Sequence, residues 1–138
     1  MTYHHIITQL QTLAQKKGID YRLEHLHPIL QTLGNPHQNL KKIIHIAGTN
    51  GKGSTLRFLT SIFTQYGWRV ANYTSPHLVS YCERIAINDI PISESQFVSY
   101  YNKITPFLNQ GLTEFEILTL MAFCYFSDIQ PDVIILET

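Results

Sequence analysis

Apolar positions at helical spacing predict two helices near the start of the chain. In the first, apolar residues recur every three or four positions between Thr2, a candidate N-cap, and Gly18, a candidate stop. The second helical pattern ends at Gly34 and contains Pro28, where the helix either bends or begins. The chain is therefore expected to open with helical structure and to reach its first strand only afterwards.

The centre of the chain has the pattern of a strand, a helix and a second strand. Residues 43–47 form a short apolar run rich in isoleucine, which indicates a buried strand. A glycine-rich turn follows, then a helical apolar stripe that ends at Gly67, and residues 69–74 have the pattern of the next strand. One helix between two strands predicts a βαβ unit whose strands are parallel.

Two further helices are indicated by capping-box spacings. Ser93 with Gln96, and Thr113 with Glu116, each place an N-cap hydroxyl three residues before an acid or amide. The helix expected over residues 115–126 is apolar on nearly every side, which is typical of a buried helix.

The last strand pattern completes the expected fold class. Residues 132–137 are apolar up to the acid Glu137, and residues 84–88 alternate as in a short strand or an extended arm. The sequence predicts an α/β, P-loop NTPase-like fold with a mostly parallel sheet flanked by helices in three α/β/α layers. No crossover helix follows the last strand, so residues 1–138 are expected to be the N-terminal portion of a larger domain, incomplete because the chain ends early.

Composition narrows the function classes. The 138 residues are 44% hydrophobic, enough to fill a core, and ten basic residues balance ten acidic ones. A net charge of zero argues against broad binding of nucleic acid or of an anionic membrane. Two distant cysteines, with no secretory signal and no membrane-spanning run, predict a cytoplasmic protein with reduced thiols.

The sequence GTNGKGST at residues 48–55 carries the clearest chemistry. Its glycines let backbone N–H groups approach phosphate oxygens at a helix N-terminus, and Lys52 supplies a positive charge. The hydroxyl of Ser54 or Thr55 can bind a phosphate oxygen or Mg²⁺. The loop is shorter than the strict P-loop pattern, and Gly53 follows the lysine. The pattern therefore favours a nucleotide phosphate site over the alternative, a glycine-rich turn with a solvated lysine.

Two oxygen donors follow other predicted strands. Ser75 lies in the segment TSPHL at residues 74–78, at the carboxyl end of a strand, where ligands of open α/β sheets bind. Glu137 ends the last strand, as the Mg²⁺-binding acid of P-loop enzymes does. The alternatives are a Ser-Pro turn for the first residue and a turn-capping acid for the second.

Together these segments resemble the folylpolyglutamate synthase/dihydrofolate synthase family of the Mur ligase superfamily. The run HIAGTNGKGST at residues 45–55 is similar to the ATP loop of that family, with its extra glycine, and YTSPHLV at residues 73–79 is similar to its second signature. Residues 82–88, CERIAIN, continue the likeness, which covers nearly the whole chain from Tyr21 onward.

The resemblance implies three groups of site residues. The ATP-binding group is Asn50, Gly51, Lys52, Gly53, Ser54 and Thr55, of which Lys52 would be catalytic, and the Mg²⁺ ligands would be Ser75 and Glu137. The pterin-binding group is Tyr21, Arg22, Leu23, Thr113, Glu114, Phe115 and Glu116. For Glu116 the alternative is the capping box with Thr113.

The resemblance also implies the reaction and the missing parts. The family uses ATP to convert a carboxylate to an acyl phosphate, which the amine of L-glutamate attacks. Dihydropteroate or a reduced folate supplies that carboxylate, and the complete enzyme is expected to be a monomer. The C-terminal glutamate-binding domain is expected to be absent from residues 1–138, so the chain is expected to be inactive alone. The alternatives are a stand-alone nucleotide-binding module and a non-functional remnant.

Overall fold

The computed structural model describes residues 1–15 and 26–137. They divide into two compact units, one comprising Met1–Asn39 with Glu94–Asp128 and the other comprising Leu40–Ser93 with Ile129–Thr138. The expectation that the chain is one portion of an ATP-binding domain stays a prediction.

The described residues form five α-helices and five strands. The helices are α1 (Tyr3–Ala14), α2 (Leu26–Thr32), α3 (Lys52–Gln65), α4 (Glu94–Ile104) and α5 (Glu114–Ile129). The strands are β1 (Ile43–Ile46), β2 (Val70–Tyr73), β3 (Ile85–Ile87), β4 (Ile90–Pro91) and β5 (Val133–Glu137). The helices predicted around residues 56–66 and 115–126 and the strands predicted at residues 43–47, 69–74 and 132–137 are thereby confirmed.

The first unit is helical, and α1 begins at its predicted cap. The Thr2 hydroxyl accepts a hydrogen bond from the backbone N–H of His5, as expected of the N-cap of α1. Between α1 and α4, the Tyr101 hydroxyl donates to the Gln9 side chain at 2.6 Å. The proposed stop at Gly18 lies outside the described residues.

The end of α2 confirms the predicted stop. Gly34 has a φ of 89°, and the N–H of Asn35 closes the helix by donating to the Leu30 carbonyl at 2.8 Å. Pro28 is the third residue of α2, where its missing N–H removes no helical hydrogen bond. It is compatible with the start of the helix.

The second unit contains a five-stranded sheet in the order β1-β5-β2-β3-β4. The pairs β1–β5 and β5–β2 are parallel, as predicted, whereas β2–β3 and β3–β4 are antiparallel. The sheet is therefore mixed, and residues 84–88 contribute a strand rather than an arm. Asn88 and Asp89 form the tight β3–β4 turn with φ values of 49° and 64°, which asparagine and aspartate tolerate better than most residues.

The core of the second unit lies between α3 and the sheet. Four buried residues form its centre: Leu56, Val70, Val133 and Ile135. Each such side chain contributes about 1.5–3 kcal/mol when it leaves water, so this contact holds α3 across the parallel strands. The α/β class is confirmed, and the N-terminus of α3 is fixed relative to β1.

Helix α5 is buried around nearly its whole circumference, as its composition predicts. Thr113 and Glu116 form the predicted capping box at its start: each donates a backbone N–H to the other's side chain, at 2.9 and 3.1 Å. Among the described residues, no helix is long and apolar enough to cross a membrane.

Candidate phosphate and metal site

The carboxyl ends of three parallel strands bring the predicted donors to one edge of the sheet. Glu137 is the register partner of Ile46, the last residue of β1 before the glycine-rich loop. On the other side of β5, Leu136 is paired with Tyr73, two residues before Ser75. The loop after β1, the segment after β2 and the acid of β5 therefore share the edge at which ligands of α/β sheets bind.

The glycine-rich loop has the backbone shape that a phosphate site requires. Gly51, the N-cap of α3, has φ 77° and ψ 4°, in the left-handed region that glycine adopts without strain. Apart from the adjacent residues and the backbone of α3 itself, no atom of the described residues lies within 4 Å of where a Cβ on Gly51 or Gly53 would stand. The space beside the first N–H groups of α3 is therefore open to an anion, which the helix dipole favours.

Lys52 and the two hydroxyl residues lie in the first turn of α3. Ser54 is exposed and Lys52 is partly buried. The Thr55 hydroxyl donates back to the Gly51 carbonyl at 2.9 Å, while the Thr55 N–H makes the first helical bond to the same oxygen at 3.0 Å. Its proton is thus engaged in the helix, so the Thr55 hydroxyl has an oxygen lone pair to offer a metal ion but no proton to donate to a phosphate oxygen.

The donor types at this edge fit a small hard cation. Ser75 and Glu137 are both partly buried and offer a hydroxyl and a carboxylate, the oxygen ligands that Mg²⁺ prefers. No cluster of three or more metal-binding His, Cys, Asp or Glu side chains occurs among residues 1–15 and 26–137. A cation here would be completed by nucleotide phosphate oxygens and water, as is usual for Mg²⁺ in nucleotide sites.

A polar network in the segment after Ser75 is the feature that the site prediction missed. The Glu83 carboxylate accepts backbone N–H bonds from Leu78, Val79 and Ser80. These bonds lower the pKa of Glu83, with the Leu78 N–H as the largest cause. The spacing of Ser80 and Glu83 is that of a capping box, a signal present in the sequence but not used.

His77 and Arg84 also have structural partners. The Nε of Arg84, a residue that is 7% exposed, donates to Nδ1 of His77 at 2.8 Å. The His77 ring lies 4.1 Å from the Tyr81 ring, centroid to centroid. These contacts agree with a structural role for both residues.

Comparison with known proteins identifies the family. No family model matches the chain. Over 131 residues, the chain is 36% identical to dihydrofolate synthase/folylpolyglutamate synthase of Bacillus subtilis, a match that covers 89% of this chain and 30% of that protein. The structure of E. coli FolC in complex with DHPP and ADP matches 99% of this chain with a TM-score of 0.87 and 36% identity. The chain belongs to the folylpolyglutamate synthase/dihydrofolate synthase family.

The chain spans about a third of the length of these family members. It covers 33% of the E. coli structure. It covers the same share of a bifunctional folylpolyglutamate synthase/dihydrofolate synthase structure from the same family, solved with Mn, AMPPNP and L-glutamate bound, at 33% identity and a TM-score of 0.82. The likeness to the family therefore concerns a limited part of each relative.

The structure describes only some of the pterin-binding residues that the family resemblance suggested. Tyr21, Arg22 and Leu23 lie outside the described residues. Residues 113–116 lie together in the first unit, where α5 begins. Phe115 is 44% exposed, whereas Glu116 is 8% exposed and is engaged in the capping box. The capping role of Glu116 is confirmed, and its role toward a pterin stays a prediction.

Proposed function

We propose that this chain supplies the ATP-binding and metal-binding part of an ATP-dependent ligase that joins L-glutamate to dihydropteroate or to a reduced folate. The observation that carries the proposal is the common sheet edge shared by the glycine-rich loop, Ser75 and Glu137. Family membership supports the reaction class, and relatives solved with ADP, AMPPNP, Mn and L-glutamate support the ligands.

In the proposed reaction, the substrate carboxylate attacks the γ-phosphorus of ATP. The bond from that phosphorus to the β–γ bridging oxygen breaks, which gives an acyl phosphate and ADP. The amine of L-glutamate then attacks the acyl carbon, loses a proton and expels inorganic phosphate to leave the amide. Both steps need negative charge on phosphate to be offset.

The residues of the loop have distinct roles in this proposal. The N–H groups after Gly51 donate to phosphate oxygens, with the dipole of α3 adding to the attraction. Lys52 places a positive charge against the transferring phosphoryl group, which makes it the residue with the largest expected effect on rate. Asn50, Gly53 and Ser54 complete the cradle.

A divalent cation, Mg²⁺ in the cell, would be held by Ser75 and Glu137. It would supply positive charge that offsets the negative charge developing on the leaving ADP. Glu137 presents its carboxylate from β5, and Ser75 presents its hydroxyl from the segment that follows the neighbouring strand β2.

The direct test is nucleotide binding by the 138-residue chain. Titration calorimetry with AMPPNP and Mn²⁺ should show binding, and Lys52→Ala should weaken it by about 10–100-fold through the lost charged hydrogen bond. Lys41→Ala is the matched control, an exposed lysine that lies before β1 and outside the loop. Equal affinity in all three proteins, or no binding by any, would count against the phosphate site.

The ligase step is tested separately, with the whole protein that contains this chain. ATP-dependent incorporation of labelled L-glutamate should be measured with dihydropteroate and with tetrahydrofolate side by side. Product with either acceptor supports the proposal and also tells the two substrate classes apart. Nucleotide binding without product from either would favour a nucleotide-binding module instead.

A further inference from the structure

The segment between β2 and β3 leaves the sheet at Ser75 and returns at Ile85. Its two ends are tied at the sheet edge, where the N–H of Thr74 donates to the Arg84 carbonyl at 2.9 Å. We call residues 75–84 the Ser75 loop. Because Ser75 is next to Thr74, the geometry of this loop decides where the Ser75 hydroxyl lies.

The Glu83 side chain accepts hydrogen bonds from the backbone in the middle of the Ser75 loop. Its Oε1 accepts from the N–H of Leu78 at 3.0 Å, and its Oε2 accepts from the N–H groups of Val79 and Ser80 at 3.0 and 2.8 Å. Three successive backbone donors therefore converge on one carboxylate. Charge-assisted bonds of this kind are about twice as strong as neutral ones, so the turn is firmly held.

Hydrophobic burial does not hold the tip of this loop in place. Leu78 is 90% exposed and Val79 is 89% exposed, so their side chains bury almost nothing among the described residues. A segment with apolar side chains in water and an ordered backbone needs another source of order. The three bonds to Glu83 supply it.

The Arg84 contact fixes the stretch between the Glu83 bonds and Ser75. His77 accepts from the Arg84 Nε at 2.8 Å, and its ring packs on Tyr81. Hydrogen-bonded residues therefore lie on both sides of Ser75 in the sequence. Thr74 is bonded to the sheet edge, and His77 is bonded to the Arg84 side chain.

We propose that Glu83 is a positioning residue for the metal: it holds the Ser75 loop so that the Ser75 hydroxyl faces the sheet edge shared with Glu137. This inference rests on the proposed function, since it assigns Ser75 to the metal. Glu83 itself contacts neither nucleotide nor metal. Its loss should spare nucleotide binding without metal and should reduce the gain in affinity that the metal brings.

The test measures that gain in the 138-residue chain. The affinity for AMPPNP is measured by calorimetry with and without Mn²⁺, for the unchanged chain, Ser75→Ala, Glu83→Ala, Glu83→Gln and the control Glu94→Gln, an exposed acid at the start of α4. We expect Ser75→Ala and Glu83→Ala each to reduce the Mn²⁺ gain by roughly fivefold or more, the scale of ordinary site coupling. Affinity without Mn²⁺ should stay the same in Glu83→Ala and in Glu94→Gln.

Glu83→Gln distinguishes positioning from general stability. Glutamine keeps acceptor oxygen but loses the charge, so it should recover part of the Mn²⁺ gain even if its thermal stability equals that of Glu83→Ala. If Glu83→Ala does not fold, the Mn²⁺ gain of Glu83→Gln alone tests the positioning role. A full Mn²⁺ gain in the Glu83 variants, with the gain lost in Ser75→Ala, overturns the positioning role and leaves the proposed function intact. No Mn²⁺ gain in the unchanged chain overturns both.

Discussion

Glu137 and Ile46 are register partners in the parallel pair β5–β1, so the acid at the end of one strand lies beside the residue from which the glycine-rich loop starts. Neighbouring strands are about 4.8 Å apart, so the Glu137 backbone lies one strand spacing from the residue at which the chain enters that loop. The relationship gives the acid a defined place in the candidate site.

Glu137→Gln should reduce the Mn²⁺-dependent part of nucleotide affinity, because an amide oxygen binds a hard cation more weakly than a carboxylate does. The expected loss is roughly tenfold, and calorimetry with AMPPNP, with and without Mn²⁺, measures it. Asp132→Asn is the control: Asp132 is the acid just before the opposite end of the same strand, where its side chain accepts the Arg69 N–H at 2.8 Å. A similar loss of Mn²⁺ gain in both variants would show that the effect is not local to the metal.

Gly51 and Gly53 should respond differently to alanine. Gly51 has φ 77°, so Gly51→Ala should destabilise the fold by about 1–2 kcal/mol from backbone strain alone. Gly53 is inside α3 with open space around it, so Gly53→Ala should stabilise the helix by up to about 1 kcal/mol. Urea unfolding measures both changes.

Nucleotide binding by the same two variants separates helix stability from the phosphate site. A methyl group on Gly53 would enter the space that the phosphate is expected to occupy, so Gly53→Ala should bind AMPPNP more weakly although its fold is more stable. Unchanged affinity in a stabilised Gly53→Ala protein would place the phosphate elsewhere.

The strand–helix–strand unit could be predicted from the sequence because local pattern and burial agree there. All four residues of β2 are buried, and a short, mostly apolar run between a helix and a turn is typical of a central parallel strand. The caps at Thr2 and at Thr113 with Glu116 were also predictable, since each is a contact within one turn.

Features that depend on contacts between distant residues could not be predicted from the sequence. The pairing of β3 with β2 places Ala86 opposite Asn72, and no local pattern specifies whether such a short strand pairs at all. The bonds to Glu83 involve backbone N–H groups, which every residue but proline has, so residue identity could not reveal their donors. Sequence motifs suggested the donors of the site, whereas tertiary structure alone brings them to one edge.

The capping box at the start of α5 gives a stability prediction. Thr113→Ala should lower the free energy of unfolding by about 1 kcal/mol, because the Glu116 N–H loses its side-chain acceptor. Glu116→Gln should cost less, since an amide oxygen can still accept the Thr113 N–H. Thermal unfolding compares the two variants with a control, Thr119→Ser. The control keeps the hydroxyl that donates to the Phe115 carbonyl. A larger loss in Thr119→Ser than in Thr113→Ala would contradict it.

Tyr100 and Asp128 give a prediction at high pH. Partial burial, and then the 2.5 Å hydrogen bond to Asp128, raise the pKa of Tyr100 above the ordinary value of 10.0. The folded state therefore retains this proton when the unfolded state begins to lose it. The stability that it contributes is complete below about pH 10 and is lost as the pH rises toward the folded-state pKa.

Tyr100→Phe should flatten the decline in unfolding free energy above pH 10, and at pH 7 it should cost about 1 kcal/mol for the lost hydrogen bond. Tyr66→Phe is the control, because Tyr66 is 78% exposed at the end of α3. Urea unfolding at pH 7 and at pH 10.5 measures both variants. If Tyr66→Phe flattens the decline as much as Tyr100→Phe does, the Asp128 contact is not its source.

Glu83 gives the opposite prediction at low pH. The N–H bonds from Leu78, Ser80 and Val79 stabilise the carboxylate and lower the pKa of Glu83 below the ordinary 4.5, although burial acts in the other direction. The unfolded state therefore binds the proton first as the pH falls. The stability that Glu83 contributes is present above pH 4.5 and is lost as the pH falls through the lowered folded-state pKa. Carbon-13 NMR of the glutamate side chains should show Glu83 titrating below the ordinary 4.5, and the amides of residues 78–80 should shift with it. Amide shifts that follow the titration of another acid would show that Glu83 does not hold the loop.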